Sequence, residues 1–332
     1  MYYLLAITLA LALLLVLNVL VSLLASVVWR IFSPLVQNWS ARRRAQVIFA
    51  LRIQPLAGTL VFIAAFLLPA YFLFEPHETD EVVSTKLAVL ASISAVGIAL
   101  ACRRVWKTMS ATNRLVADWL AGGEALKLPN VSIPVYIIKH SFPVFAIVGT
   151  FRPRMFVTRQ VLESLDESEI EAAITHESGH LAARDNFKRI LLRICRDLLI
   201  VPCGEKLDRA WSENVEAAAD EYAARAGGRQ TALNLASALV KIARMVPVGS
   251  KPALPASAFL IDGQSRDVTW RVRRLLEIAG SAEFFEKRER FSQGFPLWVY
   301  SGLISIFILF LATDHSFLQK IHFYMELIVA FV

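Results

Sequence analysis

The chain has 332 residues, of which 56% are hydrophobic and only 19% are charged, with 35 basic and 28 acidic side chains. Soluble globular proteins carry about a quarter charged residues, so this composition excludes an ordinary soluble protein. The charges are concentrated in the middle of the chain, which predicts a membrane protein with one large water-facing domain. The spacing of Cys102, Cys195 and Cys203 suggests neither a disulfide framework nor a metal cluster.

Four apolar stretches predict helices that cross a bilayer, because a crossing takes about 20 residues. They are residues 1–29, 53–74, 82–102 and 291–313. The first lacks the basic start of a signal peptide, so we interpret it as a span. The chain then divides into three spans (1–104), a central domain (105–292), and a fourth span with a short tail (293–332). The apolar end of that tail, residues 327–332, is too brief to cross, so it either lies at the outer interface or folds back against the bundle.

The loops between the spans predict their orientation. Residues 30–52 contain five arginines and no acid, whereas the next loop contains Glu75, Glu78, Asp80 and Glu81. Basic loops stay in the cytoplasm, so we expect the N-terminus outside and the central domain in the cytosol. That domain has more basic than acidic side chains, which suits anionic lipid headgroups, and it shows no nucleic-acid motif.

The central domain opens with three β-rich runs, residues 131–138, 142–148 and 155–158, which predict a small antiparallel sheet. Asp166, followed three residues later by Glu169, predicts the start of a helix by a capping box. Further helices are predicted over residues 187–201, 205–226 (ended by Gly227 and Gly228) and 270–278. Residues 245–268 are rich in Pro, Gly, Ser and Ala and predict a loop, either a plain linker or a substrate gate or self-cleavage site.

The predicted helix after Asp166 carries the sequence His176-Glu177-Ser178-Gly179-His180, an HExxH motif. One helical turn places the two imidazoles on one face, where they can hold one zinc ion per chain. Glu177 lies beside them and can take a proton from a zinc-bound water. The alternative to a zinc site is an ordinary solvated helix face that carries these residues by chance.

A catalytic zinc needs a third protein ligand, and the next predicted helix offers one. Glu216 and Asp220 share a face of that helix at a spacing of four residues. We therefore expect Glu216 to bind the zinc and Asp220 to accept the spare N–H of a histidine ligand. Glu213 is the rival third ligand.

These residues resemble a family, the bacterial membrane-embedded antirepressor metallopeptidases of the BlaR/MecR type. The resemblance lies in three spans, a zinc domain and a fourth span, and in residues 143–158, 176–186 and the later Glu216 and Asp220. It implies a bacterial cytoplasmic membrane protein with a zincin-like α+β domain and about four transmembrane helices. It also implies that His176, His180 and Glu216 bind zinc, that Glu177 is the general base, and that Asp220 supports the site. Members of that family cut cytosolic proteins, often repressors, after an external signal.

The sequence departs from that family in one respect. The β-lactam sensors continue into an extracellular penicillin-binding domain, whereas this sequence stops at Val332, so direct β-lactam sensing is not expected. A second group, the HtpX and prenyl-protein endopeptidases, shares both motif helices but usually has a different arrangement of spans.

The leading hypothesis is endoproteolysis of a cytosolic or juxtamembrane protein segment. The substrate would add a strand along the edge near Phe145, Ala146 and Ile147. His140, Arg154 and Arg271 are candidates to contact the substrate or its developing oxyanion. The alternatives are a membrane-protein quality-control protease and a non-catalytic signalling scaffold in which zinc is structural or absent. The sequence does not reveal the substrate, the signal or the oligomeric state.

Overall fold

The computed structural model describes residues 1–76, 83–128, 131–198, 204–246, 265–286 and 297–331. The first part is helical: α1 (Tyr2–Phe32), α2 (Ala41–Phe62), a π-helical segment (Ile63–Leu67), α3 (Leu68–Phe74) and α4 (Thr85–Ala121). The sheet follows: β1 (Glu124–Leu126), β2 (Val135–Ile138), β3 (Phe145–Val148) and β4 (Arg154–Thr158). The remaining helices are α5 (Arg159–Ser164), α6 (Glu167–Ala183), α7 (Asp185–Asp197), α8 (Glu205–Met245), α9 (Ser265–Gly280), α10 (Ala282–Glu286), α11 (Leu297–Thr313) and α12 (His315–Phe331).

Within the described ranges, three helices are long and apolar enough to cross a membrane, and they indicate a membrane protein. They are Tyr2–Phe32, Ala41–Phe74 and Thr85–Ala121. All three continue beyond the predicted spans at residues 1–29, 53–74 and 82–102, because a helix can carry charged side chains once it leaves the apolar layer. Thr85–Ala121 therefore enters the stretch that the sequence assigned to the central domain.

The C-terminal part differs from the prediction. The helix α11 (Leu297–Thr313) has 17 residues, and the first residues of the predicted fourth span, 291–296, lie outside the described ranges. The tail is not merely a brief apolar run, since α12 continues for 17 residues. Polar residues such as Lys320 and Glu326 interrupt its apolar pattern, so hydropathy alone does not predict this helix. Leu318 packs against Phe66 and Ala70, so this helix folds back against the second membrane helix.

The prediction of a purely antiparallel sheet is wrong. The four described strands have the order β1-β2-β4-β3, with β2 and β4 parallel and the other two pairs antiparallel. Strand β1 was not predicted, because its three residues are mostly exposed and carry little hydrophobic signal. The arrangement leaves β3 at one edge of the sheet, which is the strand that lies next to α6.

The core of the central domain lies between the sheet and the helices α6, α8 and α9. Phe145, Met155, Leu235, Leu239 and Leu275 are at most 1% exposed in it. The helices of this core are longer than predicted. Helix α8 continues past the expected end at residue 226, and within it only Gly228, with a φ of 78°, departs from helical geometry. The helix α9 begins before residue 270, and most of the predicted loop, residues 247–264, is outside the described ranges.

The central domain packs directly on the membrane helices. Ala45 and Ile48 of α2 form a cluster with Leu207, Trp211 and Val215 of α8. Beside that cluster, Arg52 Nε donates to Asp208 Oδ1 at 2.8 Å, and the Arg52 side chain is only 3% exposed. The helix that supplies Glu216 and Asp220 is thereby fixed to the second membrane helix.

Candidate metal centre and active-site cleft

The HExxH motif lies on α6, whose first turn has the predicted capping box. Asp166 Oδ1 accepts from the Glu169 backbone N–H at 2.9 Å, and Glu169 Oε2 accepts from the Asp166 N–H at 2.9 Å. Glu169 also accepts hydrogen bonds from Ser237 and Lys241 of α8. The cap therefore fixes the start of α6 and ties that helix to α8.

Small residues bring α6 and α8 close together beside the motif. A Cβ atom at Gly179 would lie 3.2 Å from the Tyr222 side chain and 3.3 Å from the Ala219 Cα. Ala172, Ala173 and Ala223 are buried in the same packed region. A side chain at Gly179 would push the helices apart, so the glycine between the two histidines allows Glu216 to reach them.

His176 and His180 of α6 meet Glu216 of α8, and their ligand atoms all lie within 4.8 Å of one another. The Glu216 carboxylate oxygens lie 3.7 Å from His176 Nε2 and 3.6 Å from His180 Nε2. Bonds of about 2.0–2.2 Å to a tetrahedral zinc would separate its ligand atoms by about 3.3–3.5 Å. The donor set and its spacing therefore fit zinc. Glu213, the rival ligand, is exposed and lies outside this cluster.

Each histidine has a carboxylate behind it. Asp220 Oδ1 lies 3.0 Å from His176 Nδ1. Asp185 Oδ2 lies 2.9 Å from Nδ1 of His180 and forms a hydrogen bond with it. Asp185 had no role at this centre in the sequence analysis. A carboxylate at Nδ1 leaves Nε2 for the metal, and the hydrogen bond with Asp185 holds the His180 ring in place.

Arg271 of α9 completes the buried charge network. It donates from Nε to Asp220 Oδ2 at 3.0 Å and from Nη2 to Asp220 Oδ1 at 2.7 Å. Its Nη1 lies 3.3 Å from Glu216 Oε2, and its side chain is 4% exposed. Arg189 contacts the other Glu216 oxygen at 3.2 Å. Arg271, considered earlier as an oxyanion donor, here braces the two carboxylates of α8.

The charges of this network shift the pKa values of its members. Burial lowers the pKa of His180, but the negative charge of Glu216 and the hydrogen bond with Asp185 outweigh it and raise that pKa to about 10. Burial raises the pKa of Asp220, but Arg271 outweighs it and brings the value to about 2. Glu216 is likewise held well below its usual pKa, against burial, chiefly by His180. The carboxylates are therefore ionised, whereas His180 carries a proton that it would have to release on binding a metal ion.

The central part of the chain is similar to a known peptidase family. Residues 114–207 match Peptidase family M48. The match indicates a metallopeptidase domain, in a chain whose helices indicate a membrane protein. It includes His176, Glu177, His180 and Asp185, and it stops short of Glu216. No curated protein matches the chain.

Glu177 joins the HExxH motif to the edge of the sheet. Its Oε2 accepts a hydrogen bond from the Ile147 backbone N–H at 3.0 Å, and the residue is 5% exposed. Asn186 Nδ2 donates to the carbonyls of Ile147 and Gly149 at 3.1 and 3.2 Å. Since β4 pairs with the other side of β3, these contacts mark the open edge, which faces the metal centre.

A cleft of about 420 Å³ lies along this edge, lined by Ala146, Ile147, Glu177, His180 and Glu216 among others. Of the residues predicted to bind substrate, Ala146 and Ile147 thus lie in the cleft. Phe145 is 1% exposed and directs its side chain into the core.

His140 and Arg154 lie elsewhere. The His140 ring accepts a hydrogen bond from the Phe142 backbone and packs near Trp119, and it is not among the residues that line the cleft. Arg154 lines a second, larger cavity that also reaches Glu216. The structure therefore does not bring these two side chains to the cleft itself.

Proposed function

We propose that this chain is a membrane-bound zinc endopeptidase that cuts peptide bonds in cytosolic or juxtamembrane protein segments. The observation that carries the proposal is the convergence of His176, His180 and Glu216 to ligand spacing beside Glu177. The M48 match over residues 114–207 supports the reaction class. The domain boundaries in this proposal are 1–104 for three spans, 105–292 for the peptidase domain and 293–332 for the fourth span and tail.

In this proposal His176, His180 and Glu216 hold one zinc ion, with Asp220 and Asp185 behind the histidines. Zinc bound there would polarise the scissile carbonyl and lower the pKa of a water molecule. The Glu177 carboxylate takes the proton of the attacking water and delivers it to the leaving amine. The Ile147 N–H holds Glu177 Oε2, which fixes the carboxylate between the cleft and the two histidines.

The substrate segment in this proposal lies along β3 as an added strand. The backbone of Ile147 faces the open edge, and the cleft follows that edge past Glu177. Main-chain hydrogen bonds along an edge give affinity without demanding a particular sequence. Asn186 occupies the Ile147 and Gly149 carbonyls and Glu177 occupies the Ile147 N–H, so a bound segment would have to share or displace these contacts.

The orientation and the biological role belong to the same proposal. The arginines of residues 30–52 support a cytosolic peptidase domain in a bacterial cytoplasmic membrane. The resemblance to BlaR/MecR-type antirepressor peptidases supports regulated cleavage of a repressor as the role. Cleavage of a repressor by the purified protein would support that role, and rescue of cells under membrane-protein stress would favour quality control instead.

Zinc content and proteolysis together test the proposal. The detergent-purified protein should contain one zinc per chain and cut a general protein substrate such as casein. His176→Ala and Glu216→Ala should lose both, because each removes a ligand. Glu177→Gln should keep the zinc and lose roughly 100-fold or more of the activity.

Glu213→Ala is the matched control, since it removes a carboxylate from the same helix three residues from Glu216. It should retain zinc and activity; loss of zinc there, with Glu216→Ala unaffected, would reassign the ligand. Zinc without cleavage in the wild type would indicate a silent or signal-gated peptidase, and absence of zinc would favour the signalling scaffold. Full activity in Glu177→Gln would refute the role of Glu177 as base.

A further inference from the structure

A cavity of about 720 Å³ extends from the metal centre between α4, α7 and the start of α8. Glu216 and Arg271 line it together with apolar side chains of α4 and α7, which include Val105, Met109 and Ile190. It shares Gly149, Thr150, Phe151, Asn186, Arg189 and Glu216 with the cleft along β3. A protein segment that lies in the cleft can therefore continue into this cavity.

The charged residues that line the cavity are predominantly arginines. Six arginines (Arg152, Arg154, Arg189, Arg193, Arg196 and Arg271) face three acids (Asp208, Glu213 and Glu216) among its described lining. Glu216 pairs with Arg189 and Arg271, which offsets part of their charge as well, and Asp208 binds Arg52 from outside the cavity. The lining is therefore cationic even before the metal is considered.

Three of these guanidinium groups have no carboxylate within ion-pair distance in the part of the chain that the structure describes. Arg152 lies in the turn between β3 and β4, Arg154 is the first residue of β4, and Arg193 donates to the Thr108 hydroxyl at 2.6 Å. Arg196, by contrast, lies 3.6 Å from Asp197. Cations that line a partly enclosed cavity attract and orient anionic groups more strongly than cations on an open surface.

We infer that this cavity binds acidic side chains of the protein segment that is cut. Substrates with Asp or Glu beside the scissile bond, on the side that enters the cavity, are then preferred. The inference rests on the proposed peptidase function, since that function brings a peptide into the cleft. The volume suits several side chains, and the apolar wall from α4 accommodates their hydrocarbon portions.

Peptide binding tests the inference separately from catalysis. Glu177→Gln protein is titrated with two labelled peptides that differ only in Glu or Gln on both sides of the central bond, and binding is followed by fluorescence anisotropy. The acidic peptide should bind about three- to tenfold more tightly, as expected for one or two partly exposed ion pairs. The difference should shrink as salt is added.

Reversing the charge of two cavity arginines tests whether the preference for the acidic peptide comes from this cavity. Arg152→Glu/Arg154→Glu, in the same background, should abolish or invert it. The control is Arg229→Glu, an exposed arginine outside the cavity lining, which should keep it. Equal binding of the two peptides, or a preference that survives in the double variant, would overturn the inference.

The competing occupant is an anionic lipid headgroup, since α4 leads from the membrane to this cavity. If phosphatidylglycerol added to neutral-lipid nanodiscs removes the peptide preference, and the double variant loses that lipid effect, the cavity binds lipid and the inference fails. If the wild type cuts neither peptide while the acidic one still binds better, the acidic-peptide site is supported and only the proposed catalysis is contradicted.

Discussion

The hydrogen bond between Asp185 and His180 gives a prediction for zinc affinity. Asp185 lies 2.9 Å from His180 Nδ1, so Asp185→Asn removes the charge that orients and polarises this imidazole. Losing such a partner typically weakens metal binding about 10- to 100-fold. Competition with a chromophoric chelator measures the change. Asp197→Asn, on the same helix but paired with Arg104, is the control and should bind zinc like the wild type.

Arg271 gives a second prediction, on stability. Arg271→Ala leaves Asp220, which is 0% exposed, without its cation and costs the metal-free protein about 3–5 kcal/mol. Zinc should stabilise this variant more than the wild type, because the arginine no longer competes for Glu216. Thermal unfolding with zinc and with a chelator measures both effects. Arg273→Ala, an exposed arginine of the same helix, should change neither.

These two residues also mark what the sequence could predict of the centre. The HExxH spacing and the pair Glu216 and Asp220 follow from helical periodicity, which is a local property. Asp185 reaches His180 because Arg184, at a φ of 55°, turns the chain between α6 and α7. Arg271 lies 51 residues after Asp220 in the sequence. Contacts of that kind depend on tertiary packing, and no spacing rule predicts them.

Among the helices and strands, the close approach of α6 and α8 brings the residues of the metal centre together. In Gly179→Ala the new methyl group would lie 3.2 Å from Tyr222 and 3.3 Å from Ala219, so the helices must separate by a few tenths of an ångström. We expect a loss of about 1–3 kcal/mol in unfolding free energy, with weaker zinc binding. Chelator competition and thermal unfolding measure these.

Gly97→Ala is the matched control for that substitution. Gly97 lies within α4, and an added Cβ there would meet no atom within 4 Å. It should leave zinc affinity unchanged, because it alters no contact of the centre. Equal losses in both variants would mean that the Gly179 effect does not come from helix packing.

The elements differ in how far the sequence predicted them. The start of α6 at Asp166 is confirmed, because a capping box depends on only four consecutive residues. The parallel pairing of β2 with β4 was missed, since strand direction depends on a long-range choice of neighbour. The full length of α4 was missed because hydropathy detects only the apolar part of a helix.

In the molecule as a whole, helix α8 connects the metal centre to the membrane helices. Glu216 and Asp220 lie on α8, and the beginning of α8 is bound to α2 through Asp208 and Arg52. Next to Asp220, Glu221 accepts the backbone N–H of Ala41, the first residue of α2, at 3.2 Å. A displacement of α2 would therefore act on the helix that carries Glu216.

Breaking this attachment tests whether the membrane helix stabilises the centre. Arg52→Met keeps the apolar length of the side chain but leaves Asp208 unpaired, at a cost of about 1–3 kcal/mol because that carboxylate remains 23% exposed. The variant should unfold at a lower temperature and release zinc to a chelator faster, while its zinc stoichiometry at excess zinc stays unchanged. Arg42→Met removes an exposed arginine near the start of α2 and should do neither. If Arg52→Met unfolds earlier but releases zinc at the wild-type rate, the attachment stabilises the fold without affecting the centre, and α2 would not act on Glu216.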